Sequence, residues 1–200
     1  MDDIVKQAMV KWPNVPHCYG WLALDARGGW RMRDERAQAL KLPGDRINNA
    51  ALLGFINRNY THDDAGRWYF QNGPQRVYVN LEATPFIVRT DPAQDFVLHT
   101  GAPLGGIDAA WMTEGGQLVL QTGDVVGMVD DRDMAQCLPR LQIGGKPIDD
   151  DVLLDWLEDN GTSGELKLDT GDGAVDVGFL RRDALANRFG FVSAPAADPQ

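Results

Sequence analysis

Apolar positions along the chain follow two periods, and the same succession of periods occurs twice. Ile47, Ala51 and Phe55 form one row, with Leu52 and Ile56 beside it; Ile148, Val152 and Trp156 form the matching row, with Leu153 and Leu157 beside it. Spacing of i, i+4, i+8 against a polar back predicts a short amphipathic helix in each place. Helices this short need packing to hold them. A period of two follows each helix. Trp68 and Phe70 alternate with Arg67, Tyr69 and Gln71; after Asn72-Gly73-Pro74, Val77, Val79 and Leu81 alternate with Arg76, Tyr78 and Asn80. The later copy has Leu166 and Leu168, a turn at Thr170-Gly171-Asp172-Gly173, then Val175, Val177 and Phe179. Alternation of this kind predicts hairpins with one packed face. Residues 47–59 lie over 148–160, and 66–81 over 164–179, each without a gap.

The fold class expected is therefore α+β: two tandem small units, each a short helix packed on an antiparallel sheet, with a ligand cleft between them. The boundaries expected are 1–95 and 96–193, with a Pro/Ala-rich disordered tail at 194–200. Further elements are a helix over Asp2–Trp12 capped by Asp2 or Asp3 and stopped by Pro13 and Pro16, and strands at 21–24 and 30–32 around the turn Asp25–Gly29. A short helix fits within 33–40. Phe86–Val88 is expected to end the first copy with a strand and Phe189–Val192 the second. Strands at 96–98, 109–112, 118–120 and 125–129 carry no signal for the sheet they join.

Composition adds little to the fold and something to the function. Hydrophobic content of 44% and charged content of 24% are those of an ordinary globular protein. No apolar run approaches the ~20 residues of a membrane span, and Met1-Asp2-Asp3-Ile4 does not read as a signal peptide. Two cysteines make no disulfide framework, so a cytoplasmic protein with reduced thiols is expected. The net charge of -10 argues against a nucleic-acid partner. It is uneven: residues 1–95 carry 12 Lys and Arg against 11 Asp and Glu, a net of +1, and residues 96–200 carry 7 against 18, a net of -11. An anionic small molecule would find its counter-charges in the first half.

Motifs for chemistry are missing. Ser163 and Ser193 are the two serines, and neither sits in a GxSxG elbow. His17-Cys18 are sequence neighbours, which seldom face each other. His62-Asp63-Asp64 reads as a polar loop and Asp149-Asp150-Asp151 as a helix cap. Asp169–Gly173 lacks the spacing of a calcium loop, and Gly101–Gly106 lacks the Lys-Ser/Thr of a phosphate loop. No metal or cofactor is expected. What remains is the second face of the first hairpin, with Arg67, Tyr69, Gln71, Arg76, Tyr78 and Asn80 on one side. Aromatic and guanidinium groups together can stack on a planar ligand and clamp an anion. The later copy has Glu165, Lys167, Asp169 and Asp176 there instead. The candidate ligand-binding residues are thus Arg67, Tyr69, Arg76 and Tyr78, with Asn72 and Gln75 at the loop; an ordinary solvated sheet face with cross-strand pairs, or an inter-domain contact, is the competing account.

The run Asp64–Phe70, then Gln75–Val79, then the corner Glu82-Ala83-Thr84-Pro85-Phe86, preceded by Leu52-Leu53-Gly54-Phe55, resembles uncharacterised proteobacterial proteins grouped as domains of unknown function. The resemblance covers residues 45–90 and more faintly 146–180. It implies two small α+β repeats with a ligand-binding or signalling role, and it brings no catalytic residues. The expected function is non-enzymatic binding of a small anionic ligand; the alternatives are a protein-interaction module using sheet edges and the acidic second half, and a carboxylate-based enzyme.

Overall fold

The computed structural model describes residues 1–197, and the expected frayed tail therefore lies partly outside the described residues at 198–200. The fold is α+β, with six α-helices and two mixed sheets among the described residues. The chain divides into two compact units. The first comprises Met1–Pro85 with the segment from Gly190 onward, and the second Phe86–Phe189. The division thus falls at residue 86 rather than 96. The reason is pairing: the strand of Phe86–Val88 hydrogen-bonds in parallel to residues 127–129 and belongs to the second unit.

The first unit runs α1 (Asp3–Lys11), β1 (Cys18–Leu24), β2 (Trp30–Met32), α2 (Glu35–Ala39), β3 (Asp45–Arg46), α3 (Ala50–Arg58), β4 (Tyr60–His62), β5 (Trp68–Asn72) and β6 (Gln75–Leu81). Its six strands lie in the order β3-β2-β1-β6-β5-β4. Hairpin neighbours are antiparallel, but β1 and β6 pair in parallel. Asn49 caps α3 through a bond from Leu52 N (2.9 Å). Asp2 does not cap α1 with its side chain; its carboxylate instead takes Arg58 Nε at 3.2 Å. Only the C-terminal part of the apolar rows of α3 packs on the sheet: Ile56 is buried and Phe55 meets Phe70 edge-on with centroids 5.3 Å apart, while Ala51 and Leu52, a turn earlier, are exposed. Trp30, Tyr60 and Trp68 extend that packing, and Trp30 Nε1 donates to Asn57 Oδ1 at 2.8 Å.

The second unit runs β7 (Phe86–Asp91), β8 (Asp95–Leu98), β9 (Ala109–Met112), β10 (Leu118–Thr122), β11 (Val125–Val129), α4 (Met134–Cys137), β12 (Leu141–Ile143), β13 (Lys146–Pro147), α5 (Asp150–Glu158), β14 (Leu166–Asp169), β15 (Ala174–Phe179) and α6 (Leu185–Phe189). Its nine strands lie in the order β13-β12-β14-β15-β9-β10-β11-β7-β8. The strand expected at 189–192 is absent. Phe189 ends α6, where its ring meets Trp111 at 4.9 Å. Asp149 caps α5 through Val152 N (2.9 Å), as its position before an apolar row suggested.

The two units share a helix and a hairpin, and they share an earlier hairpin that helix periodicity does not reveal. In one, β1 and β2 are followed by α3, β5 and β6, with β6 parallel to β1; in the other, β9 and β10 are followed by α5, β14 and β15, with β15 parallel to β9. Registers agree: Leu22 and Leu24 oppose Val79 and Leu81, and Ala110 and Met112 oppose Val177 and Phe179. The turn of the early hairpin is also built alike. Asp25 Oδ1 accepts from Gly29 N at 2.7 Å and Thr113 Oγ1 from Gln117 N at 3.1 Å. The third strand of each meander differs in origin, since β4 follows its helix whereas β12 precedes its own.

Candidate functional site

Register builds the site. Across the two-residue turn Gly73-Pro74, Asn72 opposes Gln75, Gln71 opposes Arg76, and Tyr69 opposes Tyr78. Side chains alternate, and Phe70 takes the face that meets α3. Arg67, Tyr69, Gln71, Arg76, Tyr78 and Asn80 therefore share the other face. That face is not the solvated surface the alternation suggested. β5 is buried on both sides from Trp68 to Gln71, and Tyr78 is 1% exposed.

The tyrosines are buried by one another and by arginine. Tyr78 stacks on Tyr19 with centroids 4.6 Å apart and planes 8° from parallel. It meets Tyr69 edge-on at 5.6 Å and His17 edge-on at 5.8 Å. The Arg67 guanidinium carbon lies 5.2 Å from the Tyr78 centroid, and that of Arg76 lies 4.6 Å from the Tyr69 centroid. Such contacts combine ring packing with attraction of a cation to the ring quadrupole. Burial raises the Tyr69 pKa, so its hydroxyl stays neutral at pH 7.

Asp63 ties the cluster down. Its Oδ2 accepts from Arg67 Nε at 2.8 Å and from the Tyr78 hydroxyl at 3.0 Å. Its Oδ1 accepts from the backbone N–H of Ala65 (3.1 Å) and Arg67 (3.0 Å). Burial pushes this carboxyl up, but the donors from Arg67 and Tyr78 prevail and hold it below its ordinary value. The same partner raises the Arg67 pKa further. His17 titrates below its ordinary value because of burial, then because Arg76 and Arg67 face it.

Four of the candidate residues, Arg67, Tyr69, Arg76 and Tyr78, thus come together. Asn72 stands exposed at the turn and joins no part of the cluster. Gln75 donates from Nε2 to Pro16 O at 2.9 Å, fastening the Pro-rich loop after α1 to the hairpin. That loop delivers His17, and the start of β1 delivers Tyr19; neither they nor Asp63 were among the candidate residues. The missed signal for Asp63 was the turn Asp63-x-x-Gly66-Arg67, which repeats the plan of Asp25-x-x-Gly28-Gly29, a side-chain oxygen accepting from the fifth residue of the turn. In the second unit the equivalent face carries a Lys167–Asp176 ion pair at 3.1 Å across β14 and β15. Among the described residues no group of three or more His, Cys, Asp or Glu is placed to share a metal ion, and no helix is long and apolar enough to cross a membrane.

A family profile named DUF2944, with the description "Protein of unknown function (DUF2946)", matches residues 1–196, and the chain belongs to that family. No curated protein matches the chain. Among solved structures, a DUF1285 family protein from Silicibacter pomeroyi DSS-3 is similar, with 13% sequence identity, coverage of 86% of each chain and a TM-score of 0.49.

Proposed function

We propose that this DUF2944 protein is a non-enzymatic bacterial binding protein, and that a small anion docks at the rim of the arginine–tyrosine cluster in its first unit. Arg76 is the cation that receives it. Arg67 is already committed to Asp63 at 2.8 Å, whereas Arg76 has no carboxylate partner among the described residues and lies over Tyr69, its guanidinium carbon 4.6 Å from the ring centroid. That contrast carries the reading. A guanidinium whose rotamer freedom is spent before binding loses less on capturing an anion. The lowered proton affinity of His17, caused after burial by Arg76 and Arg67, reports a positive local potential at the same rim. Tyr69 and Tyr78 are too buried to stack on a ligand themselves, so they act as the support for Arg76.

Binding suits this cluster better than catalysis. Its carboxylate, Asp63, has both oxygens occupied by donors and a lowered pKa, which leaves it little capacity to move a proton near pH 7. Free thiols at Cys18 and Cys137 support a reducing, cytoplasmic setting.

The test is thermal stabilisation by inorganic phosphate, small carboxylates and nucleotides, in wild type and Arg76→Gln. A ligand binding the native state alone raises the melting temperature. The reading predicts a shift in wild type that Arg76→Gln loses; no shift with any anion, or an equal shift in the variant, refutes it.

A further inference from the structure

We propose that a separate pocket in the first unit, on the β2–β1–β6 side of the sheet, binds a small hydroxylated anion, with Arg33 and Lys41 taking its charge and Asn80 Oδ1 accepting a hydrogen bond from its hydroxyl. The pocket is independent of Arg76 and goes beyond the reading above.

Sequence and register make the concavity. Arg31, Ala23 and Asn80 lie opposite one another on β2, β1 and β6. Side chains opposed across neighbouring strands share a face, so alanine stands between two long polar residues and leaves a hollow. The hollow has a volume of about 380 Å³, and Ser193 and Ala194 line it together with Arg33, Lys41 and Asn80. Ser193 is held by its carbonyl, which accepts from Leu81 N at 2.8 Å. The volume is at the small end of the range for metabolite sites.

The charges of the hollow are not balanced internally. Arg31 is committed, with Nε on Asp25 Oδ2 at 2.8 Å, and Glu82 accepts from Ala26 N at 3.1 Å. Arg33 and Lys41 have no carboxylate partner among the described residues. Arg33 Nε donates to Leu42 O at 3.1 Å; this orients the guanidinium without neutralising it. Lys41 sits at φ 53°, in the left-handed region that a lysine rarely adopts. Its N–H bonds Gln38 O at 3.3 Å, and the next N–H bonds Ala37 O at 2.8 Å. The strained residue is therefore pinned by the end of α2. From Arg27 to Arg46 the chain has six Lys or Arg and three Asp or Glu, a net of +3 in a protein of net charge -10. Arg31 and Arg46 even oppose each other directly on β2 and β3, a pairing that like charge disfavours.

Asn80 supplies the second, uncharged half of the recognition. Its Oδ1 is a buried acceptor with no hydrogen-bond partner. Buried polar atoms are almost always satisfied, and an orphan is costly. An acceptor needs a donor, which fully ionised phosphate or carboxylate oxygens cannot offer but a ligand hydroxyl can. An anion carrying a hydroxyl satisfies Arg33, Lys41 and Asn80 together.

Calorimetric titration of the full chain with matched probes tests this. Glycerol 3-phosphate and glycerate carry anion and hydroxyl; propyl phosphate and propionate carry the anion alone. The two pairs distinguish a phosphate from a carboxylate head. The expected result is saturable binding of at least one hydroxylated probe, about tenfold tighter than its hydroxyl-free partner. Arg33→Gln/Lys41→Gln weakens both members by about tenfold or more. Asn80→Leu brings the two members within about twofold, and the discrimination between them persists in Arg76→Gln, which removes only the anion site at the arginine–tyrosine rim. In wild type, and independently of any variant's folding, the bound probe shifts the backbone amide resonances of Ala23 and Asn80. No binding at millimolar concentration, an unchanged affinity in the Arg33/Lys41 variant, discrimination kept by Asn80→Leu, or shifts that avoid Ala23 and Asn80 overturns the proposal.

Discussion

Replacing Asp63 by alanine removes the acceptor on which the arginine–tyrosine cluster is fastened, and the cost can be worked out group by group. The variant loses bonds at 2.8 Å from Arg67 Nε and 3.0 Å from the Tyr78 hydroxyl, with two turn amides besides. Arg67 keeps 24% of its side chain exposed and can turn to water, so its ion pair contributes at most about 1 kcal/mol. Tyr78 is 1% exposed and has no water to turn to; a buried unsatisfied hydroxyl costs about 1–3 kcal/mol. These two contributions sum to about 1–4 kcal/mol for Asp63→Ala. Tyr78→Phe alone leaves the stack on Tyr19 intact and costs about 1–2 kcal/mol, since it removes one bond to a charged acceptor. The double variant should cost less than the sum of the singles, by about 1–2 kcal/mol, because no orphan hydroxyl remains. Urea unfolding followed by tryptophan emission measures each variant, and native-state hydrogen exchange of the β5 and β6 amides assigns the change to the first unit. Strict additivity of the two substitutions, or a loss below about 1 kcal/mol for Asp63→Ala, refutes the reasoning.

Acid should weaken the first unit early. For Asp25, burial raises the pKa but the bonds from Gly29, Arg31 and Arg27 lower it more, and Asp63 behaves alike. Their stabilisation is complete above the unfolded value near 3.8 and disappears as pH falls through the lower folded values; a denaturation midpoint at pH 3 equal to that at pH 5 contradicts this. His17, also lowered, favours its neutral form, so its contribution to stability is full above pH 6.5 and is lost on acidification through the folded value; a His17→Gln variant should show a flatter pH dependence of melting between 5 and 7. Gly66 has φ 72°, and a Cβ there would lie 1.9 Å from Gly190 O, so Gly66→Ala should destabilise by about 2 kcal/mol or more and speed proteolysis after residue 190. In the second unit, Trp156 is 1% exposed and donates to Gly164 O at 3.0 Å; Trp156→Phe should cost about 1–2 kcal/mol, measurable by chemical denaturation.

Periodicity made much of this fold legible. The rows at Ala51/Phe55 and Val152/Trp156 and the alternations from Trp68 and Leu166 became α3, α5 and the two hairpins, although within the helices it is Ile56, Leu153 and Trp156 that reach the core while Ala51 and Val152 stay exposed. The parallel pairings of β1 with β6 and β9 with β15 were not legible, since alternation gives a strand its face and not its neighbour. The strand expected at Phe189–Val192 failed for a related reason. Phe189 and Phe191 look like an alternating pair, yet Phe189 closes a helical turn on Trp111 and Gly190, at φ 68°, breaks the chain direction before Phe191 is buried. At the candidate site, the shared face of Arg67, Tyr69, Arg76 and Tyr78 followed from alternation. Its burial did not, because the covering groups, His17 in a loop and Tyr19 at the start of β1, come from some sixty residues away in sequence, brought in by the Gln75–Pro16 bond and the parallel pairing of β1 with β6. Asn72 was assigned on turn position alone, and position near a turn says nothing about which way an exposed amide is used.

The most direct measurement of the account's central claim is the His17 titration curve by proton NMR, recorded with and without inorganic phosphate at ionic strength matched with chloride to hold screening constant. Burial depresses the His17 pKa most and the charges of Arg76 and Arg67 add to it; a phosphate held by Arg76 offsets the second contribution, so the His17 midpoint should rise on phosphate addition in wild type and stay put in Arg76→Gln. An identical His17 curve with and without phosphate would contradict an anion site at this rim.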